Sequence, residues 1–412
     1  MEEAALAALD LGALARDAAD LVRIPSVTGD ERAAAELVAA RADAAGLAAG
    51  LHAHDLTRLR AHPDHPGEEA GRTELWGATA TLPGSVPGRL ALNGHIDVVG
   101  PGTEPWQRDP WSGEIENGRL HGRGSVDMKA AVIAALHALA AIRRAGADAP
   151  EVVLQAVPSE EDGGLGTFAA LEADDDFDAA LLPEPTGLRV VCAQAGALTF
   201  RGVVRGRSAH AAERLSGCSA LDRYVRVHLA FAGHEVAVNA GVTHPLMREL
   251  ELPYPLLVGR IKGGDWSSQV PDRVEFEGRL GVPVGADLGA ARAALQAVVD
   301  RALDDGEPPC ELVWEGGAFA PGETPIDHPW TETVRGALRD EVGAAPLAGV
   351  PWGADMRLFT ARGIPAVMVG TTGIERAHAV DEFVALDELA SVARTIIRAV
   401  LRWTAFESPP RG

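Results

Sequence analysis

The stretch Leu92-Asn-Gly-His-Ile-Asp-Val-Val99 decides how this chain folds. Apolar residues from Leu90 to Leu92 predict a short buried strand, and His95 and Asp97 follow directly after it. They would then lie just beyond a strand end, which is where open α/β sheets hold their reactive groups. Because residues i and i+2 of an extended segment point the same way, Asp97 is placed to bind one ring nitrogen of His95. Such a contact would fix which nitrogen faces a cation.

The continuation His121-Gly-Arg-Gly-Ser-Val-Asp-Met-Lys129 supplies a further carboxylate, Asp127. Asp127 precedes a predicted helix over 128–144, in which apolar residues follow helical spacing. Asp is a favoured helix N-cap, so capping alone would explain this residue. A metal-binding role becomes the better interpretation only when acids and histidines elsewhere in the chain are considered with it.

The composition limits the class of protein. The 412-residue chain is acidic, with a formal net charge of −22 and a pI near 5.0, and 47% of its residues are hydrophobic. This length predicts two or three domains with a sizeable core. The negative charge argues against nucleic acid or an anionic membrane as a partner, and no apolar run is long enough to span a membrane. A start without signal-peptide features and three cysteines without a CxxC pair predict a cytoplasmic protein.

Hydrophobic periodicity predicts an α/β fold with a mainly parallel sheet and helices on both of its faces. The segment 51–72 has four histidines among Pro, Asp and Gly, and it is predicted to be a solvent-exposed loop without a metal role. The helices are expected over 3–23, 31–45, 128–144, 330–342 and 386–403, and buried strands over 151–157, 177–182 and 364–369.

From residue 196 to about 316 the pattern changes to strand, helix, strand, strand, helix, strand, which predicts an inserted two-layer α+β domain. Residues 1–195 and 317–412 would then form one discontinuous domain that binds metal and carries the chemistry. Within the insertion the expected strands are 198–204, 256–262, 274–282 and 311–314, the helices are 219–232 and 288–303, and a loop covers 233–255.

Two further predicted strands end in acids. Ser159-Glu160-Glu161 follows one of them, and Pro183-Glu184-Pro185 follows the next. Neighbouring side chains diverge, so one of Glu160 and Glu161 can bind a cation while the other faces the substrate and a water molecule. Far downstream, His378 lies on a loop after the strand predicted at 364–369.

Each of these groups alone has a structural explanation, as a surface acid, a helix cap or an ordinary histidine. Together they offer two imidazoles and three carboxylates. If one carboxylate is shared, that set suits two divalent cations such as zinc, about 3.5–4 Å apart. The candidate ligands are His95, Asp127, Glu161, Glu184 and His378.

The ordered motifs His-x-Asp, Asp-Met-Lys, Glu-Glu, Pro-Glu-Pro and a late histidine resemble the M20 family of metallohydrolases over nearly the whole chain. This group includes acetylornithine deacetylase, succinyl-diaminopimelate desuccinylase, aminoacylase and glutamate carboxypeptidase, and its fold is aminopeptidase/phosphorylase-like. The resemblance implies that Asp127 bridges two metals, with His95 and Glu184 completing one site. Glu161 and His378 would complete the other.

The resemblance also implies roles for residues outside the metal ligands. Asp97 would orient His95, Glu160 would be the general base, and the peptide bond after Asp127 would be cis. The insertion would be a lid and dimerisation domain. In a homodimer, His210 of Arg207-Ser-Ala-His-Ala211 would reach the partner's site and stabilise the oxyanion, although it could equally be a polar loop residue.

Three residues of the chain are candidate substrate contacts. Arg279 and Arg357 stand where relatives hold a substrate carboxylate, a natural use of a planar two-pronged donor, and both could instead form ordinary salt bridges. Ser268 belongs to Ser268-Gln-Val-Pro271, which replaces the Asn-Val-Val-Pro of many relatives.

The expected activity is hydrolysis of the amide bond of a small N-acyl amino acid, as in acetylornithine deacetylase. A water bridging the metals would be the nucleophile and Glu160 its base, with zinc as the expected metal and cobalt or manganese as alternatives. A carboxypeptidase or dipeptidase acting on dipeptide-like substrates is the alternative. A non-enzymatic protein that binds metal or an amino acid forms a second class, but a binder has no need of the extra acid at Glu160.

Overall fold

The computed structural model of the protein describes residues 1–403, in which helices and strands alternate. The helices are α1 (Glu2–Ala7), α2 (Leu11–Val22), α3 (Arg32–Ala44), α4 (Leu56–Arg60), α5 (Lys129–Ala145), α6 (Leu165–Ala173), α7 (Ala220–Ala240), α8 (Leu288–Ala302), α9 (Pro329–Val342), α10 (Met356–Thr360) and α11 (Leu386–Arg402). The strands are β1 (Ala48–Ala53), β2 (Trp76–Leu82), β3 (Arg89–His95), β4 (Ile115–Glu116), β5 (Arg119–His121), β6 (Glu151–Val157), β7 (Ala179–Leu182), β8 (Val190–Gln194), β9 (Gly196–Arg205), β10 (Leu256–Gly263), β11 (Arg273–Val282), β12 (Leu312–Phe319), β13 (Gly322–Glu323), β14 (Leu347–Val350), β15 (Ala366–Met368) and β16 (Phe383–Ala385). No helix within these described residues is long and apolar enough to cross a membrane.

The chain divides into two compact units. The first contains Met1–Cys192, Glu323–Ala348 and the described residues from Ala354 onward, and the second contains Ala193–Gly322 and Gly349–Gly353. Strand β12 runs through the boundary that the sequence placed at 316/317, because its pairing with β9 continues as far as Phe319. The roles assigned to the two parts of the chain stay predictions.

The first unit is built on a mixed sheet whose centre is parallel. The strand order is β1-β2-β6-β3-β7-β15-β8-β13, with β14 paired to β8. Strands β6, β3, β7 and β15 run parallel, whereas β1 and β2 at one edge are antiparallel. The α/β architecture with a mainly parallel sheet is therefore confirmed.

Strand register brings the functional segments to one edge of this sheet. His95 at the end of β3 pairs with Val157 at the end of β6, and Leu182 at the end of β7 pairs with Met368 at the end of β15. The strand residues before these ends are buried, so the chain first becomes polar where the strands stop. Because the carboxyl ends of parallel strands share an edge, the loops that follow them lie side by side.

The second unit is a two-layer domain with the predicted order of elements. Its sheet has the order β10-β11-β9-β12, all antiparallel, and α7 and α8 pack against it. Aromatic rings fill the core: Phe200 lies 5.6 Å from Phe231 and 6.3 Å from Phe276 between ring centroids, in the edge-to-face arrangement that aromatic pairs prefer.

The structure corrects three local predictions. The helix predicted over 3–23 is two helices, because the Asp10 side chain accepts the Ala13 N–H and starts α2 anew. The segment 51–72 is not wholly loop, since β1 reaches Ala53 and Asp55 caps the short helix α4. Helix α7 continues to Ala240, into the loop predicted from 233, because no proline interrupts that part of the chain.

Candidate metal centre

Side chains from separate loops meet at the polar edge of the first unit's sheet. One ligand atom from each of His95, Asp127 and Glu161 lies within 4.8 Å of the other two, which is a spacing that can hold a metal ion. His378 joins them, with Nε2 at 3.5 Å from Asp127 Oδ2 and 3.2 Å from Glu161 Oε2. The histidines of the segment 51–72 belong to no such group within residues 1–403.

The ring of His95 is held in one orientation by two acceptors. Its Nδ1 lies 2.9 Å from the backbone carbonyl oxygen of Asp97, and because a carbonyl only accepts hydrogen bonds, Nδ1 must carry the hydrogen. Nε2 then faces Asp127 Oδ1 at 2.9 Å. The hydrogen bond that orients His95 is therefore accepted by the backbone of Asp97. Its nearer carboxylate oxygen is 3.7 Å from Nδ1.

The Asp97 carboxylate instead holds the segment that carries the two glutamates. It is completely buried and accepts the backbone N–H groups of Glu160 at 3.1 Å and Glu161 at 3.2 Å. The Thr28 hydroxyl donates to the same carboxylate at 3.0 Å. Burial raises the pKa of Asp97 to about 7. Asp97 thus joins the end of β3 to the loop after β6.

Asp127 is presented by a loop that the buried Glu382 fixes in place. The Glu382 carboxylate accepts a hydrogen bond from Arg123 Nη1 at 2.7 Å and from the Val126 backbone N–H at 2.8 Å. Glu382 lies on the same loop as His378, so one carboxylate connects the loops of two predicted ligands. Helix α5 begins without a side-chain cap, which removes the capping explanation for Asp127. The peptide bond from Asp127 to Met128 is cis, as the resemblance implied.

Glu160 and Glu184 are buried beside this group, at 8% and 4% exposure. Burial raises the pKa of Glu160 well above its usual range, and the negative charge of Asp355 adds to the effect. Burial likewise raises the pKa of Glu184 to about 8, partly offset by His95. Glu184 is thus close enough to His95 for their charges to interact, and its role as a ligand stays a prediction.

The pKa of His378 is raised as well, but here the cause is that the ring faces carboxylates. Hydrogen bonds with Asp127 and Glu161 raise the pKa of His378 to about 10. Burial acts to raise the pKa of Asp127, but hydrogen bonds from His378 and His95 outweigh it and leave that pKa below its usual range. The centre is therefore rich in negative charge and favours added positive charge.

The donor set fits divalent metal ions. With its hydrogen on Nδ1, a neutral His95 turns the lone pair of Nε2 toward an Asp127 oxygen only 2.9 Å away. Two electron-rich atoms that face each other this closely must share a proton or a cation. Imidazole nitrogen and carboxylate oxygen are the ligands that zinc and similar ions take in proteins. The residues present are thus suited to a metal centre.

Arg357 lies in an environment that the sequence did not predict. It is 2% exposed, and its Nη2 donates to the carbonyl oxygen of Gly163 at 2.7 Å while Nη1 donates to Ala354 O at 3.0 Å and Asp355 Oδ1 at 3.2 Å. In this structure the guanidinium therefore holds the segment after Glu160. The substrate contact predicted for Arg357 stays a prediction.

Three candidate residues belong to the second unit. Backbone bridging joins His210 to Gln269, and the Ala211 N–H donates to Ser268 O at 3.0 Å. The exposed His210 accepts the Ala212 N–H at Nδ1, at 3.1 Å. Arg279 lies on β11 with an exposed side chain. The contacts with substrate or oxyanion predicted for His210, Ser268 and Arg279 stay predictions.

Sequence reasoning missed several buried acids around the centre. Asp355 is 1% exposed, Glu382 is 1% and Asp162 is 4%. The only available signal was their position, since each is within a few residues of a predicted site residue. A single sequence does not show that these acids are buried next to the site residues.

Comparison with known proteins agrees with this geometry. The profile described as Peptidase family M20/M25/M40 matches residues 91–402. The chain is 28% identical to a succinyl-diaminopimelate desuccinylase of Methylobacterium radiotolerans, over 91% of this chain and 92% of that protein. It is 26% identical to an acetylornithine deacetylase of Photorhabdus laumondii, over 78% of this chain and 81% of that protein. A Saccharomyces cerevisiae di-peptidase has a similar fold, with a TM-score of 0.74 at 14% identity, covering 97% of this chain and 98% of that one.

Proposed function

This chain belongs to peptidase family M20/M25/M40, a family of hydrolases, and on that premise we propose that it hydrolyses the amide bond of a small N-acyl amino acid. One observation carries the proposal. Acids and histidines that are far apart in the sequence converge at one sheet edge around His95, Asp127 and Glu161. Glu160 lies beside them, buried and next in sequence to a predicted ligand.

We propose that this centre binds two divalent cations. Zinc is the expected metal, and cobalt and manganese are the alternatives. Asp127 would be shared, with His95 and Glu184 on one side and Glu161 and His378 on the other. Bound there, the metals would lower the pKa of a water molecule and polarise the substrate carbonyl. The Nδ1 hydrogen bond of His95 supports this assignment, since it leaves Nε2 as the coordinating nitrogen.

Glu160 is proposed to move the proton. It would accept a proton from the attacking water and later deliver it to the nitrogen of the leaving amine. The burial of Glu160 supports this role, because a carboxylate kept from bulk water has a raised pKa and is a stronger base. Asp97 would keep Glu160 in place through the N–H group that it accepts.

His210 is proposed to stabilise the oxyanion of the partner subunit in a homodimer. Its Nδ1 accepts a backbone N–H, so the hydrogen of the neutral ring is on Nε2. The exposed Nε2–H group is a donor suited to a developing negative charge.

The cytoplasm is the proposed location of this enzyme. The free cysteines Cys192, Cys218 and Cys310 are in keeping with a reducing compartment.

The substrate is proposed to carry a carboxylate, with Arg279 and Ser268 as candidate contacts. Arg357 remains a candidate only if its guanidinium turns away from Gly163 when substrate binds. A dipeptidase or carboxypeptidase activity is the alternative, because the family description is that of peptidases. Both activities would use the same metals and the same base.

A substrate screen with the metal-reconstituted protein tests the activity. N-acetyl and N-succinyl amino acids are expected to be hydrolysed faster than dipeptides. A chelator should abolish the reaction, and zinc, cobalt or manganese should restore it, because the metals activate the water. Release of free amine measures both effects. Faster cleavage of dipeptides would favour the alternative, and activity that survives full metal removal would contradict the metal mechanism.

The proposed dimer has a candidate surface in the second unit, formed by the outer side of α7 and the neighbouring β10. Strand β10 is an edge strand, and apolar side chains on both elements are exposed. Such a patch suits a self-complementary contact between two copies. Its residues are Leu221, Val225, Leu229 and Val236 on α7, with Ile261 on β10, each at least 46% exposed.

Leu229→Asp is expected to convert the dimer into a monomer, because it buries a charge in this contact. Leu229 is 65% exposed within one chain, so the fold of the subunit should survive. Light scattering after size exclusion measures the mass. Val313→Asp, on the opposite edge strand β12, is the control and should stay dimeric. A monomeric wild type, or a dimeric Leu229→Asp variant, would contradict this surface.

A further inference from the structure

The turn from Ser159 to Gly164 carries both glutamates of the centre and has an unusual backbone. Ser159 has φ of 66°, a conformation that side-chain-bearing residues rarely adopt, and Gly164 has φ of 76°. The Gly164 N–H closes the turn on Ser159 O at 2.6 Å. Such a backbone persists only where surrounding contacts determine it. The contacts that do so are therefore part of how Glu160 and Glu161 are aimed.

Asp162 is the side chain of this turn that binds a separate segment of the chain. Its Oδ1 accepts the Ser159 hydroxyl at 2.5 Å, which closes the turn from within. Its Oδ2 accepts the backbone N–H groups of Glu69 at 3.0 Å and Ala70 at 2.8 Å. A segment far from the turn in sequence is thereby attached to it.

Arg72 completes this attachment. Its Nη2 donates to Asp162 Oδ2 at 2.7 Å, and its side chain is 0% exposed. Nη1 lies 3.5 Å from Glu31 and Nε lies 3.5 Å from Glu68, so the guanidinium is surrounded by carboxylates. A fully buried arginine was not expected in a segment predicted to be an exposed loop. The Nη2 hydrogen bond to Asp162 and the two further ion pairs hold the guanidinium between these carboxylates, which suits a positioning role.

We propose that Arg72 and Asp162 are positioning residues, which hold the Ser159–Gly164 turn so that Glu160 faces the reacting water and Glu161 faces the metal. The inference rests on the proposed function for the meaning of these two directions. Neither residue belongs to the group with metal spacing, so they would act through the glutamates. A displacement of the turn by about 1 Å can cost on the order of 100-fold in rate, since reacting groups must be closely aligned.

Arg72→Met and Asp162→Asn test the inference. Each is expected to lower kcat by about 10- to 100-fold, with KM within about twofold, because the substrate contacts are untouched. Affinity for the more weakly held metal should fall by about 10- to 100-fold, as when other supports of metal ligands are removed. Arg72→Lys keeps the charge and should recover part of both losses.

Arg223→Met is the matched control. Arg223 is also buried and pairs with an aspartate, Asp305, at 2.9 Å, but within the second unit. The Arg223→Met variant should lose about as much thermal stability as Arg72→Met, while its metal affinity stays unchanged. If Arg72→Met behaves like Arg223→Met, losing stability alone, the positioning role is wrong. Should Arg72→Met fail to fold, Asp162→Asn and Arg72→Lys decide the same question.

Amide hydrogen exchange gives a result that does not need activity. In the metal-free protein, the turn amides of Arg72→Met and Asp162→Asn should exchange faster than in the wild type, while those of Arg223→Met should not. If the wild type hydrolyses no N-acyl amino acid or dipeptide, the proposed function fails. Exchange and metal affinity would still decide whether Arg72 holds the turn. Unchanged exchange together with unchanged metal affinity would overturn the inference.

Discussion

Asp127→Ala is expected to abolish hydrolysis, with a loss on the order of 10⁴-fold or more, and to leave the protein with little bound metal. Asp127 is the proposed shared ligand, so its removal takes a donor from both metals at once. Water activation and carbonyl polarisation, each worth several kcal/mol, would disappear together. Metal analysis of the purified variant and its hydrolysis rate measure the two effects.

The Asp127→Ala substitution should affect metal binding and catalysis more than the folding of the chain. The Asp127 loop is held by Glu382, which bonds to the backbone of Val126 and to Arg123 and does not depend on the Asp127 carboxylate. Asp17→Ala is a suitable control, because Asp17 forms another histidine–carboxylate pair, with His137 at 2.8 Å, between α2 and α5. That variant should keep its metal and its activity. Full metal content in Asp127→Ala would contradict the assignment.

Glu160→Gln is expected to keep both metals and lose about 10²- to 10⁴-fold in kcat, which is the usual contribution of a general base. This corresponds to about 3–5.5 kcal/mol of transition-state stabilisation. Glutamine has nearly the shape of glutamate and leaves the Glu160 N–H free to bond to Asp97, so the turn should be preserved. Metal content and single-turnover rates separate a lost base from a lost cation.

The neighbouring residue provides the contrast for that experiment. The Oε2 atom of Glu161 is 3.2 Å from His378 Nε2. Glu161 also belongs to the group with metal spacing, and Glu160 is not part of that group. Glu161→Gln should therefore weaken metal binding, and added metal should restore part of its activity. Added metal should not help Glu160→Gln. If the two variants respond alike, the division of labour between adjacent glutamates is wrong.

Much of the fold was predictable because its signals are local. The runs ending at Leu92 and Val157 and the alternation of strands with helices were sufficient for a mainly parallel sheet, which the structure confirms. The strand–helix–strand–strand–helix–strand order of the second unit was visible for the same reason. Helix ends were less certain, since the break before α2 depends on a single cap at Asp10.

The sequence by itself determined which residues could meet, because strand ends in a parallel sheet share an edge. His95 and Glu161 were identified in this way and Asp127 at the start of a predicted helix, and the structure brings them within 4.8 Å. Only the tertiary structure decided how they are held. Whether Asp97 uses its carbonyl or its carboxylate, and whether Arg357 and Arg72 are buried, depends on what packs around each side chain. Periodicity reports the surroundings of a residue along its own strand or helix, whereas these contacts come from segments that are distant in the chain.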